Sequence, residues 1–177
     1  MKNLWAPWRM EYIKKAVSKK PEKCIFCVKP REKRDSRNYI LYRGRKCFII
    51  MNLFPYNNGH LMIAPYKHTA SLEALDDETL LEVMALLKKS ESILKKAFNP
   101  DGFNIGVNIG RTAGAGIDKH IHFHIVPRWN GDTNFLPVID DTKVIVQSME
   151  AAYKALSGLF KDIRNVGSKS RRKNRRK

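Results

Sequence analysis

The sequence predicts an α+β domain, an antiparallel sheet of about five strands with a long helix on one face and a C-terminal helix. Histidine and apolar residues alternate strictly over residues 120–126, which is typical of a strand. Apolar residues recur at helical spacing over residues 80–98, and several short apolar runs are separated by turn residues. Strands grouped around one long helix favour the α+β class.

The first strands are predicted from short apolar runs with turn residues between them. Residues 38–43 and 46–52 are two strands, and Gly44-Arg45 forms a short hairpin turn. Residues 57–59, Asn-Asn-Gly, have turn chemistry, and residues 60–65 form the next strand.

The long helix is predicted to begin at Asp76-Asp77-Glu78, because acidic side chains stabilise the amino end of a helix. Its apolar stripe is expected to face the core and ends before Asn99-Pro100. The stripe consists of Leu80, Val83, Met84, Leu87, Leu94 and Phe98. Residues 102–109 form another strand, and a final helix covers residues from about 144 to 159.

Residues 119–127 are the most informative predicted strand. Successive side chains of a strand point to opposite faces. Three of the five histidines of the chain, His120, His122 and His124, therefore share one face, and Ile121, Phe123 and Ile125 face the core. Imidazoles two residues apart would lie about 6.5–7 Å from each other, close enough to contact several oxygens of one phosphate chain. The alternative is a polar strand face that contains histidine without a function.

The length of 177 residues suits a single domain, and the charge is unevenly distributed. We expect an N-terminal arm over residues 1–20, one domain over 21–160, and a basic, disordered tail over 161–177. The net charge is +17, and residues 168–177 contain seven basic residues and no acidic residue. Such a tail either binds polyanions such as RNA weakly or remains a solvated segment.

Two classes of protein are excluded by the apolar pattern and the cysteines. No apolar run approaches the roughly 20 residues of a membrane span, and the first residues lack a secretory pattern, so we expect a cytoplasmic protein without a membrane partner. Three cysteines are too few for a disulfide scaffold. Cys47 lies in an apolar strand and is interpreted as a packing residue.

The histidine run resembles the signature of the histidine-triad (HIT) family, in which three histidines alternate with apolar residues. Every position of residues 120–126 matches it. The glycine-rich residues 110–116 and the segment 59–68 are also similar to family segments, and the resemblance covers about residues 24–129. Residues 4–9 and 131–135 resemble a bacterial branch related to diadenosine-tetraphosphate phosphorylases.

This resemblance implies the fold predicted above, usually as a homodimer, and an enzyme acting on nucleotides. The middle histidine, His122, would attack the α-phosphorus and form a nucleotidyl-histidine. His124 would lie beside the phosphate oxygens as a donor to the developing charge or to the leaving group. His60 would orient the imidazole of the nucleophile, or it is a structural histidine.

The resemblance also implies substrate contacts. Asn52 matches the position that binds the ribose, although it could equally be a turn residue at a strand end. Asn108 and the backbone N–H groups of Gly114, Ala115 and Gly116 are candidate phosphate donors. Many family members carry Gln and Ser or Thr where this chain has Ala115 and Gly116, so that backbone amides, Arg111 or Thr112 would have to replace those donors. Phe26, Phe48 and Ile50 either wall an adenine pocket or are ordinary core residues.

A structural zinc site is the second predicted constellation. Cys24 and Cys27 form a C-x-x-C pair, and two cysteines with two histidines form a closed tetrahedral zinc site. Metal-binding family members resemble this chain at Cys24, Cys27, His68 and His120. The alternatives are a reduced thiol pair or a redox motif.

The sequence thus favours cleavage of a dinucleoside polyphosphate, such as diadenosine tetraphosphate, by phosphorolysis or hydrolysis. A second hypothesis is hydrolysis of a nucleoside phosphoramidate or another AMP derivative. A third is a non-catalytic nucleotide- or RNA-binding adaptor, which the basic tail would favour.

Overall fold

A five-stranded antiparallel sheet forms the centre of the protein. The computed structural model describes residues 23–132, 145 and 147–173, with residues 162–173 as backbone only. The strands are β1 (Ile40–Arg43), β2 (Cys47–Met51), β3 (Leu61–Pro65), β4 (Gly102–Val107) and β5 (Phe123–Arg128). Their spatial order is β1-β2-β3-β5-β4, and every pair is antiparallel. The predicted sheet is therefore confirmed.

Four helices accompany the sheet in the described part of the chain: α1 (Ile25–Arg31), α2 (Asp35–Asn38), α3 (Asp77–Phe98) and α4 (Met149–Lys173). None of these is both long enough and apolar enough to cross a lipid bilayer. The long helix and the C-terminal helix confirm the predicted α+β class.

The long helix α3 begins where the acidic residues predict it. Asp76 is the N-cap, and its carboxylate accepts hydrogen bonds from the backbone N–H of Thr79 at 2.8 Å and from the Thr79 hydroxyl at 2.7 Å. Asn99 ends the helix in the left-handed conformation, with φ 44°. Both ends therefore follow from local sequence.

The apolar stripe of α3 differs at one predicted position. Val83, Leu87 and Leu94 are buried against the sheet, but Met84 is 62% exposed. Adjacent helical residues are about 100° apart around the axis, so Met84 lies outside the face that Val83 directs into the core. The other buried residues of the helix are Thr79, Leu86, Ser90 and Ile93.

The short helices α1 and α2 were not predicted. They are too short to show helical periodicity, and isolated helices of this length are marginal without tertiary contacts. Phe26 anchors α1 because its side chain is buried in an apolar cluster on the sheet. In α2, Asp35 accepts three hydrogen bonds from the guanidinium of Arg43 on β1.

The C-terminal helix α4 begins later and ends later than the sequence predicts. The hydroxyl of Ser148 accepts a hydrogen bond from the backbone N–H of Ala151 at 3.2 Å, which fixes the start at Met149 rather than near 144. The backbone then remains helical through Lys173, across much of the segment 161–177 predicted as a disordered tail. Lysine and arginine are good helix formers, so charge alone does not end the helix.

The sheet is covered on both faces. One face packs against α3 and α4 through an apolar cluster that includes Ile49, Ile63 and Ile125. The other face carries a smaller cluster of Phe26, Ile40, Phe48, Ile50, Met62 and Ala64. His124 pairs with Met62 across β3 and β5, so its side chain lies on the face of the smaller cluster.

The histidine segment is only partly a strand. β5 begins at Phe123, so His120 and His122 precede it, although residues 119–127 were predicted as strand. The backbone N–H of Ile121 bonds the carbonyl of Thr69, which takes this part of the chain away from the β3 ladder. The predicted N-terminal arm over residues 1–20 and residues 133–135 of the 131–135 motif lie outside the described residues.

Candidate active site and metal centre

His122 has the tautomer that a nucleophile requires. Its Nδ1 lies 2.8 Å from the main-chain carbonyl oxygen of His120. Because a carbonyl only accepts hydrogen bonds, Nδ1 carries the proton, and the lone pair of the neutral ring is on Nε2. The side chain is buried, and this burial lowers the pKa of His122, which favours the neutral form.

His124 lies beside His122 and is held by His60. The ring centroids of His122 and His124 are 4.8 Å apart, closer than ideal strand geometry predicts. His60 Nε2 lies 2.9 Å from His124 Nδ1. Burial, with a smaller contribution from the neighbouring His122, lowers the pKa of His124 to about 4, so this ring is neutral near pH 7.

The backbone N–H of Tyr56 determines where the protons of this pair lie. It donates to His60 Nδ1 at 3.1 Å, so Nδ1 is an acceptor and the proton of neutral His60 is on Nε2. His60 therefore donates to His124 Nδ1, and neutral His124 carries its proton on Nε2. His124 is thus prepared as a neutral N–H donor rather than as an imidazolium.

Asn52 contacts His60 in the structure. Its Oδ1 accepts a hydrogen bond from the backbone N–H of Phe54 at 3.0 Å, and its Nδ2 lies 3.3 Å from His60 Nδ1. The side chain thus shapes the loop after β2, as the turn interpretation predicts. The ribose contact stays a prediction.

Two of the predicted phosphate donors of the glycine-rich loop form hydrogen bonds within the loop itself. The backbone N–H of Gly114 bonds the carbonyl of Arg111 at 2.9 Å, and that of Ala115 bonds the carbonyl of Gly110 at 3.3 Å. These two N–H groups would reach a phosphate only if the turn opened. The backbone N–H of Gly116 takes part in neither of these two bonds. Gly114 has φ +89°, a conformation that favours glycine.

The side chains around this loop are also placed by the structure. Asn108 lies beside it, since a methyl group added to Gly114 would be 3.8 Å from Asn108 Nδ2. Arg111 donates to the carboxylate of Asp118 at 2.7 Å, while its side chain remains largely exposed. Thr112 is exposed in the same turn.

The three candidate adenine-wall residues belong to the core. Phe26, Phe48 and Ile50 are almost completely buried in the smaller apolar cluster. The ring of Phe26 also contacts the rings of His120 and His122, with centroids 5.2 and 4.8 Å apart. The structure therefore agrees with the core interpretation, and the ring of Phe26 packs against the rings of His120 and His122.

The four predicted metal ligands converge. The side-chain donor atoms of Cys24, Cys27, His68 and His120 all lie within 4.8 Å of one another. Cys24 Sγ is 3.3 Å from His120 Nδ1, and Cys27 Sγ is 3.3 Å from His68 Nδ1. A tetrahedral zinc ion, with bonds of about 2.3 Å to sulfur and about 2.0 Å to nitrogen, holds its ligand atoms about 3.3–3.8 Å apart. The donor set and its spacing therefore fit zinc.

His120 has the orientation of a metal ligand with a supporting hydrogen bond. Its Nε2 is 2.9 Å from the carbonyl oxygen of Pro65 at the end of β3. Nε2 therefore carries the proton, and the Nδ1 lone pair points into the Cys/His cluster. The carbonyl oxygen of the same residue accepts the bond from His122. His120 therefore contacts both the Cys/His cluster and the reacting histidine His122.

Sequence reasoning missed Asp132 as the centre of a polar network. Its side chain is only 6% exposed, and it accepts hydrogen bonds from Arg128 Nε at 2.6 Å and Nη2 at 2.8 Å. It also accepts from Asn57 Nδ2 at 2.7 Å and from the backbone N–H of Trp129 at 3.1 Å. The network joins the loop before His60 to the end of β5. The signals in the sequence were the turn chemistry at Asn57 and the family similarity of residues 131–135, and neither indicates a hydrogen-bond network.

Comparisons with known proteins agree with this geometry. The HIT domain model matches residues 33–131. An AP-4-A phosphorylase of Mycobacterium tuberculosis is 36% identical over 162 residues, covering 89% of this chain and 83% of that protein. An adenosine 5'-monophosphoramidase of Schizosaccharomyces pombe is 33% identical over 107 residues, covering 60% of this chain and 75% of that protein.

A solved structure shares the fold. The crystal structure of a Zn-bound histidine triad family protein from Mycobacterium smegmatis has a TM-score of 0.64 at 24% identity, covering 81% of this chain and 97% of that one. The family match spans all five strands of the sheet. The prediction of a HIT-family enzyme is confirmed, and the chain belongs to the HIT domain family.

Proposed function

We propose that the protein cleaves dinucleoside polyphosphates at the α-phosphate through a nucleotidyl intermediate on His122. The observation that carries this proposal is the 2.8 Å contact between His122 Nδ1 and the carbonyl oxygen of His120. It leaves the Nε2 lone pair of a neutral ring for attack on phosphorus. The neighbouring His124 supplies an N–H donor to a phosphate oxygen or to the leaving group.

The reaction has two steps. His122 Nε2 forms a bond to the α-phosphorus, and the bond from that phosphorus to its bridging oxygen breaks. With diadenosine tetraphosphate the leaving group is ATP. Inorganic phosphate or water then attacks the phosphorus and breaks the bond to His122, which yields ADP or AMP respectively.

The choice of substrate rests on similarity. The phosphorylase relative aligns with 89% of this chain, which favours diadenosine tetraphosphate and transfer to phosphate. The monophosphoramidase relative aligns with 60% of the chain, which supports hydrolysis of an adenosine phosphoramidate as the second candidate. Both reactions pass through the same nucleotidyl-His122.

Mass spectrometry of the products tests the reaction. Diadenosine tetraphosphate is incubated with the enzyme with and without inorganic phosphate. ADP formed only with phosphate supports phosphorolysis, whereas AMP in both samples supports hydrolysis. Absence of cleavage in both samples, together with cleavage of the phosphoramidate, favours the second candidate.

The His122→Ala variant tests the nucleophile. It should lose turnover and the trapped nucleotidyl-protein while retaining nucleotide binding. The His124→Asn variant is the matched comparison, because it alters a neighbouring ring but leaves the nucleophile able to be nucleotidylated. Full turnover by His122→Ala would refute the assignment.

We also propose that Cys24, Cys27, His68 and His120 hold a structural zinc ion. The support is the convergence of two sulfur and two nitrogen donors, together with the bond from His120 Nε2 to the carbonyl of Pro65. Zinc would join the start of α1 to the segment before β5. It would occupy His120 and leave His122 and His124 for the substrate.

Three further predictions remain proposals. A homodimer is supported by β4, an outer strand of the described sheet whose Asn104, Ile105 and Gly106 are exposed. We also propose the cytoplasmic location that the sequence analysis predicts. Weak polyanion binding by the basic tail is tested by deleting residues 168–177: an adaptor would lose its RNA partner, whereas an enzyme would keep its rate on small nucleotides.

A further inference from the structure

The two sides of the reacting histidines differ in exposure. On one side, the ring of Phe26 contacts His122, and Phe26 is 1% exposed. On the other side, the ring of Tyr56 lies 6.0 Å from the His124 ring and 4.8 Å from the His60 ring, and Tyr56 is 45% exposed. The surface beyond His124 therefore presents an aromatic ring to solvent.

This ring lies on the loop between β2 and β3, which presents further apolar surface. Leu53 is also substantially exposed on the same loop. The backbone of Tyr56 is fixed, because its N–H bonds His60 Nδ1 at 3.1 Å. His60 thus holds the backbone that carries this ring and also contacts the donor His124.

We propose that Tyr56 is the stacking surface for the base of the second nucleoside, the one that departs with the leaving group. The inference rests on the proposed function. In the proposed reaction His124 can donate to the leaving group, and a polyphosphate chain that extends past His124 then carries its distal nucleoside towards Tyr56, whose ring lies 6.0 Å from the His124 ring. Aromatic rings bind purine bases by stacking, without need for a specific hydrogen-bond pattern.

Stacking on Tyr56 selects substrates with two nucleosides. A substrate with the same phosphate chain but no second nucleoside would reach His122 and His124 equally well and would lack the stacking contact. Stacking on an aromatic side chain contributes about 1–3 kcal/mol per base, which corresponds to a preference of about 5- to 150-fold.

The test compares diadenosine tetraphosphate with adenosine 5'-tetraphosphate. The wild-type enzyme should show a higher kcat/KM for the dinucleotide, and Tyr56→Leu should lose most of that preference by raising the KM for the dinucleotide alone. Tyr56→Phe keeps the ring and should keep the preference. Leu81→Ala, on the exposed face of α3, is the remote control and should behave as wild type.

Two results would overturn the inference. One is an unchanged preference in Tyr56→Leu. The other is an equal fall in kcat/KM for both substrates, which would mean that Tyr56 acts only by supporting His60.

Failure of the proposed function would be seen separately, as wild-type enzyme that cleaves neither substrate. Calorimetric binding of the same two nucleotides to wild type and Tyr56→Leu then decides the role of Tyr56. A preference for the dinucleotide that depends on the ring supports the inference, and equal affinities refute it.

Discussion

His60 Nε2 lies 2.9 Å from His124 Nδ1, and both side chains are buried. The bond fixes the proton of neutral His124 on Nε2, the nitrogen left for the substrate. We expect His60→Leu to lower kcat by about 10²-fold with little change in KM, since aligned proton donors contribute about 10²–10⁴-fold. His60→Gln should lose less, because its amide can still donate to His124. Equal losses in both variants, measured by steady-state kinetics, would contradict this role.

Burial of His124 makes stability depend on pH. Its pKa falls from 6.5 in the unfolded chain to about 4 in the folded protein, so the unfolded state binds more protons between these values. The free energy of unfolding should therefore be highest above pH 6.5 and decrease as the pH falls towards 4, by about 3 kcal/mol at most. Urea titrations at several pH values measure this decrease. His124→Asn should flatten it, leaving the part due to His120 and His122, whose pKa values are also lowered by burial. An unchanged slope would count against the prediction.

Zinc removal should destabilise the N-terminal part of the domain. Purified protein is expected to contain about one zinc ion per chain, and a chelator should lower its melting temperature, because structural zinc contributes on the order of 10 kcal/mol. Cys24→Ser should lose zinc. Cys47→Ala removes a buried thiol outside the cluster and should lose stability while keeping zinc. Elemental analysis and thermal melts separate the two effects. Stability that does not respond to a chelator would refute the structural role.

Gly44 is required for a hairpin contact. The carboxylate of Glu82 accepts hydrogen bonds from the backbone N–H groups of Lys46 and Cys47 at 3.1 Å, and a methyl group on Gly44 would overlap that carboxylate and lie 2.9 Å from the carbonyl oxygen of Cys47. Gly44→Ala should lower the free energy of unfolding by about 1–3 kcal/mol. At Gly102 an added methyl group meets no atom within 4 Å, so Gly102→Ala should have little effect. Denaturant titrations of the two variants compare them directly, and equal stabilities would be inconsistent with the proposed clash.

Much of the fold could be predicted because its signals are local. Apolar runs and turn residues located β2 and β3, and acidic residues located the N-cap of α3 at Asp76. The signals failed where tertiary contacts decide the structure. α1 is too short to show a periodicity, and the bond from Ile121 to Thr69 takes the first two triad histidines out of the strand.

The sequence could predict which residues form the candidate site, but not which atoms those residues contact. The histidines and cysteines were identified from their alternation, their spacing and a family resemblance. Three of the partners that fix their tautomers are main-chain atoms: the N–H of Tyr56 and the carbonyls of Pro65 and His120. Every residue has such atoms, so no residue type in the sequence marks them. Only the folded chain shows which ones meet an imidazole.

β3 and β5 pair in the interior of the sheet, and this position restricts the motion of their backbones. His124 pairs with Met62 there, and each of these strands has a second neighbour in the sheet. Backbone protons in such a ladder exchange with deuterium only when the surrounding strands separate, so the peptides containing these two residues should be among the slowest to label. Motion around a bound phosphate chain would then come from the surrounding loops rather than from the strand that carries His124.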